Sequence, residues 1–373
     1  MLTKNRTQAS WVKFLLATIC LSTIALEGCS GNSVSSNPNV SDNKELKVAI
    51  VTDFANNVVI PTYVELTDKA EALNKAVKVF NSTPTAKNLE TAQQAWIAAR
   101  YPWEQSEAFA FGPAESLGYD GDLDDWPVNE TDVTALLQDK ATLNEELVKK
   151  LQTTQKGFHT IELLLFGTDN NKTAADFTVR ELQLLKLLTI AFEQTAQDLT
   201  TSWTTGIAEN PAYKTVLVKA GDSNNQAYPT IDAAVAEIVQ GIIGCLDEVA
   251  NDKIGIPLET KETKELESRF SHSSLNDFEN NIQSVANAYL GSIENASQAN
   301  GKSLSDLVAA YNPQLDAQVK EEIETAISAV KAIPSPIETQ LDNAKAISKL
   351  ETAQTAILAL FATMEEKVLP IVQ

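Results

Sequence analysis

From residue 46 onward, apolar positions recur every three or four residues with polar residues between them, and strand-like alternation is nearly absent. That period is the mark of amphipathic helices. The spacing predicts a helical stretch over 46–80, kinked at Pro61 because proline breaks the hydrogen-bond ladder. Thr83-Pro84 reads as a cap followed by proline at the first helical position, opening a helix to about Arg100 that Pro102 disturbs. Further helices are expected over 131–151, 156–166, 176–203, 231–249, 262–269, 274–296, 303–311, 314–332 and 336–368. Ser274 is a plausible cap, and Gly241 and Gly244 would let the 231–249 helix pack closely. Gly, Pro and Asp crowd 112–130, and Gly, Asn and Pro crowd 206–229, so both read as loops. A chain of 373 residues exceeds one ordinary core, since a domain takes roughly 100–200 residues. The expectation is an all-α protein of two tandem helical-bundle domains, 46–205 and 206–373.

One stretch departs from the amphipathic pattern. Between Gly157 and Gly167, every residue is apolar except His159, Thr160 and Glu162. Wound as a helix, it is apolar on all sides and therefore buried. His159 and Glu162 are three apart, on one face. A carboxylate in such a helix needs a proton, a partner or a cation. Both side chains are placed to ligate one cation. The alternative is a hydrogen-bonded pair that only specifies packing. Zincin helices need His-Glu-x-x-His, and the inverted form needs histidine where Leu163 stands. The chain has two histidines, His159 and His272. Other ligands would be carboxylates, a mix that suits iron or another hard cation better than catalytic zinc.

Composition narrows the function further. The formal net charge is −21, which argues against nucleic acid as a partner. Lys4, Arg6 and Lys13 precede an apolar run over 14–26, ending in Leu26-Glu27-Gly28-Cys29. This pattern reads as a bacterial lipoprotein signal over 1–28, with Cys29 lipidated, although Glu27 stands where a small residue is usual. Plain secretory cleavage near Gly28 is the alternative. A Ser/Asn-rich tether follows over 29–45. The chain would then sit in the bacterial cell envelope, lipid-anchored and facing the periplasm or the exterior. Of three cysteines, Cys20 leaves with the signal and Cys245 is alone, so with Cys29 lipidated no disulfide forms within one mature chain.

Three further stretches carry candidate chemistry. In 100–113, charges lie among aromatics: Arg100 is placed to balance a buried carboxylate and Glu107 to be a third ligand, unless this is only a solvated helix end. In 120–127, alternating aspartates suggest a calcium loop, but Asp125 stands where glycine is needed and Thr131 where the bidentate glutamate belongs. An acidic turn is the expectation there. In 269–274, adjacency of Ser271 and His272 is no evidence for a hydrolase.

Together these stretches resemble the imelysin family, also called peptidase family M75, which includes iron-regulated cell-envelope proteins. The resemblance rests on Gly157-x-His159-x-x-Glu162, Trp103 to Phe109 with Phe111-Gly112-Pro113, Asp125-Trp126-Pro127, and Glu267-Ser268-Arg269-Phe270-Ser271. Pro257-Leu258 and the 287–291 stretch also look similar. It spans about 46–370 and implies two bundle-like halves with the motif near their interface. The favoured reading is a non-enzymatic, iron-linked binding lipoprotein, taking a divalent or trivalent cation or its chelate. His159 and Glu162 would be ligands with Glu107 a third. Arg100 and Arg269 would balance charge, and Gly157, Trp103, Asp125, Trp126 and Ser271 would neighbour the site. Any transport partner is unidentified. The alternatives are an M75-type metallopeptidase using the same residues, with Glu162 as ligand or base, and a purely structural or partner-binding bundle.

Overall fold

The computed structural model describes residues 44–293 and 301–373. The expected signal, Cys29 and the tether up to residue 43 lie outside the described residues. The rest is all-α as expected: among the described residues, extended structure is confined to one two-residue antiparallel pair, β1 (Gly206–Ile207) with β2 (Asn210–Pro211). No described helix is long and apolar enough to cross a membrane.

The chain opens with α1 (Lys44–Phe54), a π-helical turn (Ala55–Val59), α2 (Ile60–Ser82) and α3 (Ala86–Glu104). The break before Pro61 has a definite form. Proline has no N–H to give the carbonyl four residues back, and the ladder widens by a residue just upstream. The same arrangement recurs twice. A π-helical segment at Glu248–Gly255 precedes Pro257, and another at Met364–Val368 precedes Pro370.

The cap of α3 is Thr85, whose hydroxyl accepts from the Asn88 N–H, rather than Thr83. Pro102 lies inside the final turn and the helix continues to Glu104. The expected 112–130 loop holds α4 (Pro113–Ser116) and α5 (Tyr119–Asp124), then a cis Trp126–Pro127 bond. Next come α6 (Glu130–Gln138), α7 (Glu145–Val148), α8 (Gly157–Phe166) and α9 (Val179–Thr204). A reciprocal Thr178/Glu181 capping box starts α9, not Asp176;.

In the second half, the 206–229 stretch carries α10 (Tyr213–Val218) beside the small hairpin, and α11 is Ile231–Asp247. After the second π segment come α12 (Ile256–Thr260) and a short 3-10 turn (Thr263–Glu265) where a longer helix was expected. The remaining helices are α13 (Ser274–Leu290), α14 (Leu304–Tyr311), α15 (Pro313–Lys331), α16 (Ala344–Thr363) and α17 (Leu369–Val372). The N-terminus of α13 is not capped by the Ser274 hydroxyl. Glu338, distant in sequence, accepts the Ser274 N–H at 3.0 Å.

The apolar faces explain the packing. α2 buries Tyr63, Leu66, Leu73, Val77 and Phe80, lying along both α3 and α9. α13 lies against α11 and α15, and α15 against α16. α3 packs on α13, and the 3-10 turn Glu107–Phe109 packs on α11 and α13. Helices from either side of residue 205 therefore share one interior, and the described residues form one compact unit. Gly241 makes one of these contacts feasible: a Cβ there would stand 2.3 Å from the Ala108 carbonyl oxygen.

Gly241→Ala is expected to destabilise the protein by about 1–3 kcal/mol, because helix and turn must separate. Gly118→Ala, with φ +74° and nothing within 4 Å of the new Cβ, should cost only backbone strain of about 1 kcal/mol. Urea unfolding of both variants checks the order. A Gly241 variant no weaker than the Gly118 variant removes the close-approach argument.

Candidate functional site

Charged residues meet where α3, α5, α8 and α13 converge. The last turns of α3 carry Arg100, Trp103 and Glu104 on one face, at spacings of three and four. Asp124 ends α5. α8 carries His159 and Glu162, and all its residues are buried except Leu163. The π segment contributes Lys253, the connection before α13 gives Glu267 and Ser271, and α13 gives Asp277 and Asn281.

Gly157 sets the approach of α8. Its φ is +74°, and a Cβ would lie 2.4 Å from the Leu123 carbonyl oxygen. Only glycine lets the first turn of α8 rest on the end of α5, which places His159 beside Asp124.

Arg100 is the hub. It is 1 % exposed, and its guanidinium contacts Glu104 and Asp124 very closely, with Glu267 and Asp277 each at 3.2 Å. Its flat face lies over Phe158, 4.8 Å from the ring centre. The other Asp124 oxygen accepts from Trp103 Nε1 at 2.6 Å. Lys253 Nζ is 3.0 Å from Glu267 Oε2 and 3.5 Å from Glu104 Oε2, and Asn281 donates to Glu104 Oε2 at 2.6 Å.

His159 is held from one side and open on the other. Its Nδ1 is 3.4 Å from Glu162 Oε2. Glu162 Oε1 accepts both the Ser271 N–H and the Ser271 hydroxyl, each at 2.7 Å. Nε2 faces Asp124 Oδ1 at 3.1 Å and Glu267 Oε1 at 4.0 Å, yet makes no hydrogen bond of acceptable angle. One ligand atom each from Asp124, His159 and Glu267 lies within 4.8 Å of the others. A second such trio is Glu104, Glu267 and Asp277.

The Imelysin model of peptidase family M75 matches residues 59–364. This chain belongs to the imelysin family. It is 41 % identical over 323 residues to iron-regulated protein A of Synechococcus elongatus, covering 87 % of this chain and 86 % of that one. The crystal structure of a putative iron-regulated protein A precursor from Parabacteroides distasonis superposes with a TM-score of 0.80 at 27 % identity. The match covers 91 % of this chain and 97 % of the other. An imelysin-like protein from Psychrobacter arcticum shares the fold, with a TM-score of 0.70 at 13 % identity over 91 % and 98 % of the two chains.

Within this imelysin, the residues singled out from sequence separate into groups. His159, Glu162, Arg100, Trp103, Gly157 and Ser271 come together. The imelysin motif pair does not point at one shared centre, however: Glu162 grips the Nδ1 edge while Nε2 faces Asp124 and Glu267. Glu107 is partly buried and feels the charges of Lys253, Glu267 and Asp124, but no hydrogen bond joins it to His159. Asp125 accepts from Thr153, and Trp126 follows it with Nε1 buried and unpartnered. Arg269 leaves the cluster: it pairs with Glu130 at 2.5 Å and stacks on Phe270. His272 lies near Glu338, outside the candidate trios.

Sequence reasoning missed Asp124, Glu267, Lys253 and Asp277 as site residues. Asp124 was hidden in an acidic turn and Asp277 in a presumed cap. Glu267 stood inside a family-like stretch without a role. For Lys253 the available signal was the following Pro257, which marks the π turn that carries it.

Buried cations and carboxylates do not balance in the imelysin interior. Arg100, Lys253 and a protonated His159 face five carboxylates: Glu104, Asp124, Glu162, Glu267 and Asp277. Burial pushes Glu104 well above the usual range despite Arg100 and Lys253. It holds Asp277 up to about 6 against the pull of Arg100. Burial opposes ionisation of Asp124 too, but Arg100 and His159 bring it down to about 2. Burial alone would depress His159; the negative charge of Asp124 beside Nε2, with the hydrogen bond of Glu162 at Nδ1, raises it to about 9.

The folded-state value of His159 lies above its ordinary 6.5. Its contribution to stability is therefore complete below that pH and disappears as pH rises through about 9. Wild type should lose stability between those values by an amount on the order of 3 kcal/mol, and His159→Gln should lack that component. Urea unfolding at pH 6, 7.5 and 9 measures it. Equal slopes in both proteins would contradict the assignment.

Proposed function

We propose that this imelysin-family protein is an iron-linked binding protein of the cell envelope, and that its buried cluster takes one bare divalent cation at His159 Nε2, Asp124 and Glu267. The observation that carries this reading is the imidazole geometry. Nδ1 is tied down by Glu162, itself held by Ser271, while Nε2 is buried, lacks a well-directed hydrogen bond and faces two carboxylates. A ligating histidine needs this support from a carboxylate on its other nitrogen. Glu162 is thus assigned to orienting the imidazole rather than to ligation, and Glu107 to the rim.

The chemistry of the donors fits the ion. Carboxylate oxygens with one imidazole suit Fe2+ or Mn2+ and are a poor set for catalytic zinc. The surplus of buried carboxylates over cations favours a bound positive charge. His159 is 1 % exposed, which suits a desolvated ion and leaves no access for a bulky chelate or a peptide chain. The relatives named iron-regulated protein A support iron over other divalent ions. The name peptidase M75 is the support for a protease, and a buried imidazole does not favour it. Anchorage at Cys29 with the chain outside the cytoplasm belongs to the same proposal, resting on the N-terminal sequence.

Anaerobic titration calorimetry with Fe2+, and with Mn2+ as the air-stable probe, tests the reading. Wild type should bind one ion. Affinity should rise with pH toward about 9, because the ion replaces the His159 proton;. His159→Ala and Asp124→Asn should abolish binding, and Ser271→Ala should weaken it about 10–100-fold by loosening Glu162. Equal affinity in wild type and His159→Ala would leave the cluster a structural network only.

A further inference from the structure

Lys253 occupies a place of its own within the acidic interior. Its ammonium lies 3.0 and 3.2 Å from the two oxygens of Glu267, 3.5 Å from Glu104 Oε2 and 3.8 Å from Glu248 Oε1. The side chain is 3 % exposed. Glu107 is the fourth carboxylate whose charge acts on it. These acids come from three stretches: α3 with the turn that follows it, the π segment, and the connection before α13. Three carboxylates within 4 Å of one compact charge, with Glu107 acting on it through its charge, form the oxygen-rich surround that a hard cation requires;.

The fit of the ammonium is incomplete. An ammonium has three donors in fixed tetrahedral directions. Glu267 Oε2, in a residue 4 % exposed, is the oxygen nearest the ammonium, yet receives no hydrogen bond of acceptable angle. A metal ion makes no such directional demand. Glu267 also joins this position to the first, because its Oε1 faces both Arg100 and His159. Glu248, with a side chain 34 % exposed, stands at the solvent edge, where it has room to adjust to a shorter bond.

We propose that the Lys253 ammonium is a tethered occupant of a second cation position, made by Glu104, Glu248 and Glu267 with Glu107 at its rim. Removing it opens that position to a divalent metal ion, so Lys253 sets how many ions the interior takes. The inference builds on the first position described under Proposed function, with Glu267 shared between the two. Exchanging one positive charge for two moves the interior toward balance. The covalent tether keeps the native ammonium in place at any ion concentration, and so excludes the second ion.

The test counts Mn2+ bound per chain, by equilibrium dialysis and elemental analysis, for wild type, Lys253→Met and Lys253→Arg. Circular dichroism of each protein is followed with and without Mn2+. The expected result is one ion for wild type and Lys253→Arg, and two for Lys253→Met. Adding Glu248→Gln to Lys253→Met should weaken the second ion at least tenfold and spare the first. A Lys253→Met chain that folds only when Mn2+ is present also supports the proposal. One that stays unfolded in both conditions overturns it, as does a folded variant with the wild-type count. One ion in both proteins would sink the second position and keep the first. None in wild type and one in Lys253→Met would do the opposite.

Discussion

Arg100 presents five donors on a planar, permanently charged fork, and carboxylates from α3, α5, α13 and the connection before α13 close on it. Remove that charge and Glu104, Asp124, Glu267 and Asp277 repel one another in an interior that water does not reach. Breaking a buried pair leaves uncompensated charge and costs several kcal/mol. The helices carrying these residues come from both sides of residue 205, so the guanidinium ties the two halves of the chain together. The Phe158 ring packs against it, 4.8 Å from ring centre to guanidinium carbon.

Such a network is a poor way to gain stability, since apolar residues of the same volume usually do as well. The cation binding proposed above gives it a role in which charge is exchanged. Protons offset part of the carboxylate surplus: burial pushes Glu104 well above the usual range and Asp277 up to about 6. In the reading proposed above, a cation entering beside His159 displaces a proton, so occupancy and protonation are linked. Lys253 supplies a second, covalently held charge, and the π turn ahead of Pro257 delivers it.

Much of the fold was legible because helical periodicity is a local property. Helices such as α8, α11, α14 and α15 fall close to their expected places. Misplaced details have causes that periodicity does not carry. Thr85 rather than Thr83 caps α3, because the cap is chosen by which hydroxyl reaches an unpaired N–H. The Asp-rich stretch winds into α4 and α5 because it packs under α9 and α8, overriding its turn-forming composition. At the site, His159 and Glu162 stood out as polar residues in an apolar helix. Asp124, Lys253 and Asp277 did not, since an acid or a lysine in a polar stretch looks like surface.

The sequence by itself determined the all-helical class, the burial of α8, the imelysin resemblance and the placing of His159 and Glu162 on one face of a buried helix. All of these follow from residue type and spacing along one segment. Only the tertiary structure decided what each member of that pair touches. Spacing of three puts imidazole and carboxylate on one face, but does not say which ring nitrogen meets the carboxylate. Ser271, more than a hundred residues away, takes Glu162 to the Nδ1 side, and Gly157 lets α8 settle on α5 so that Nε2 meets Asp124. Which charges share a buried space depends on chain segments distant in sequence, and no local pattern encodes it.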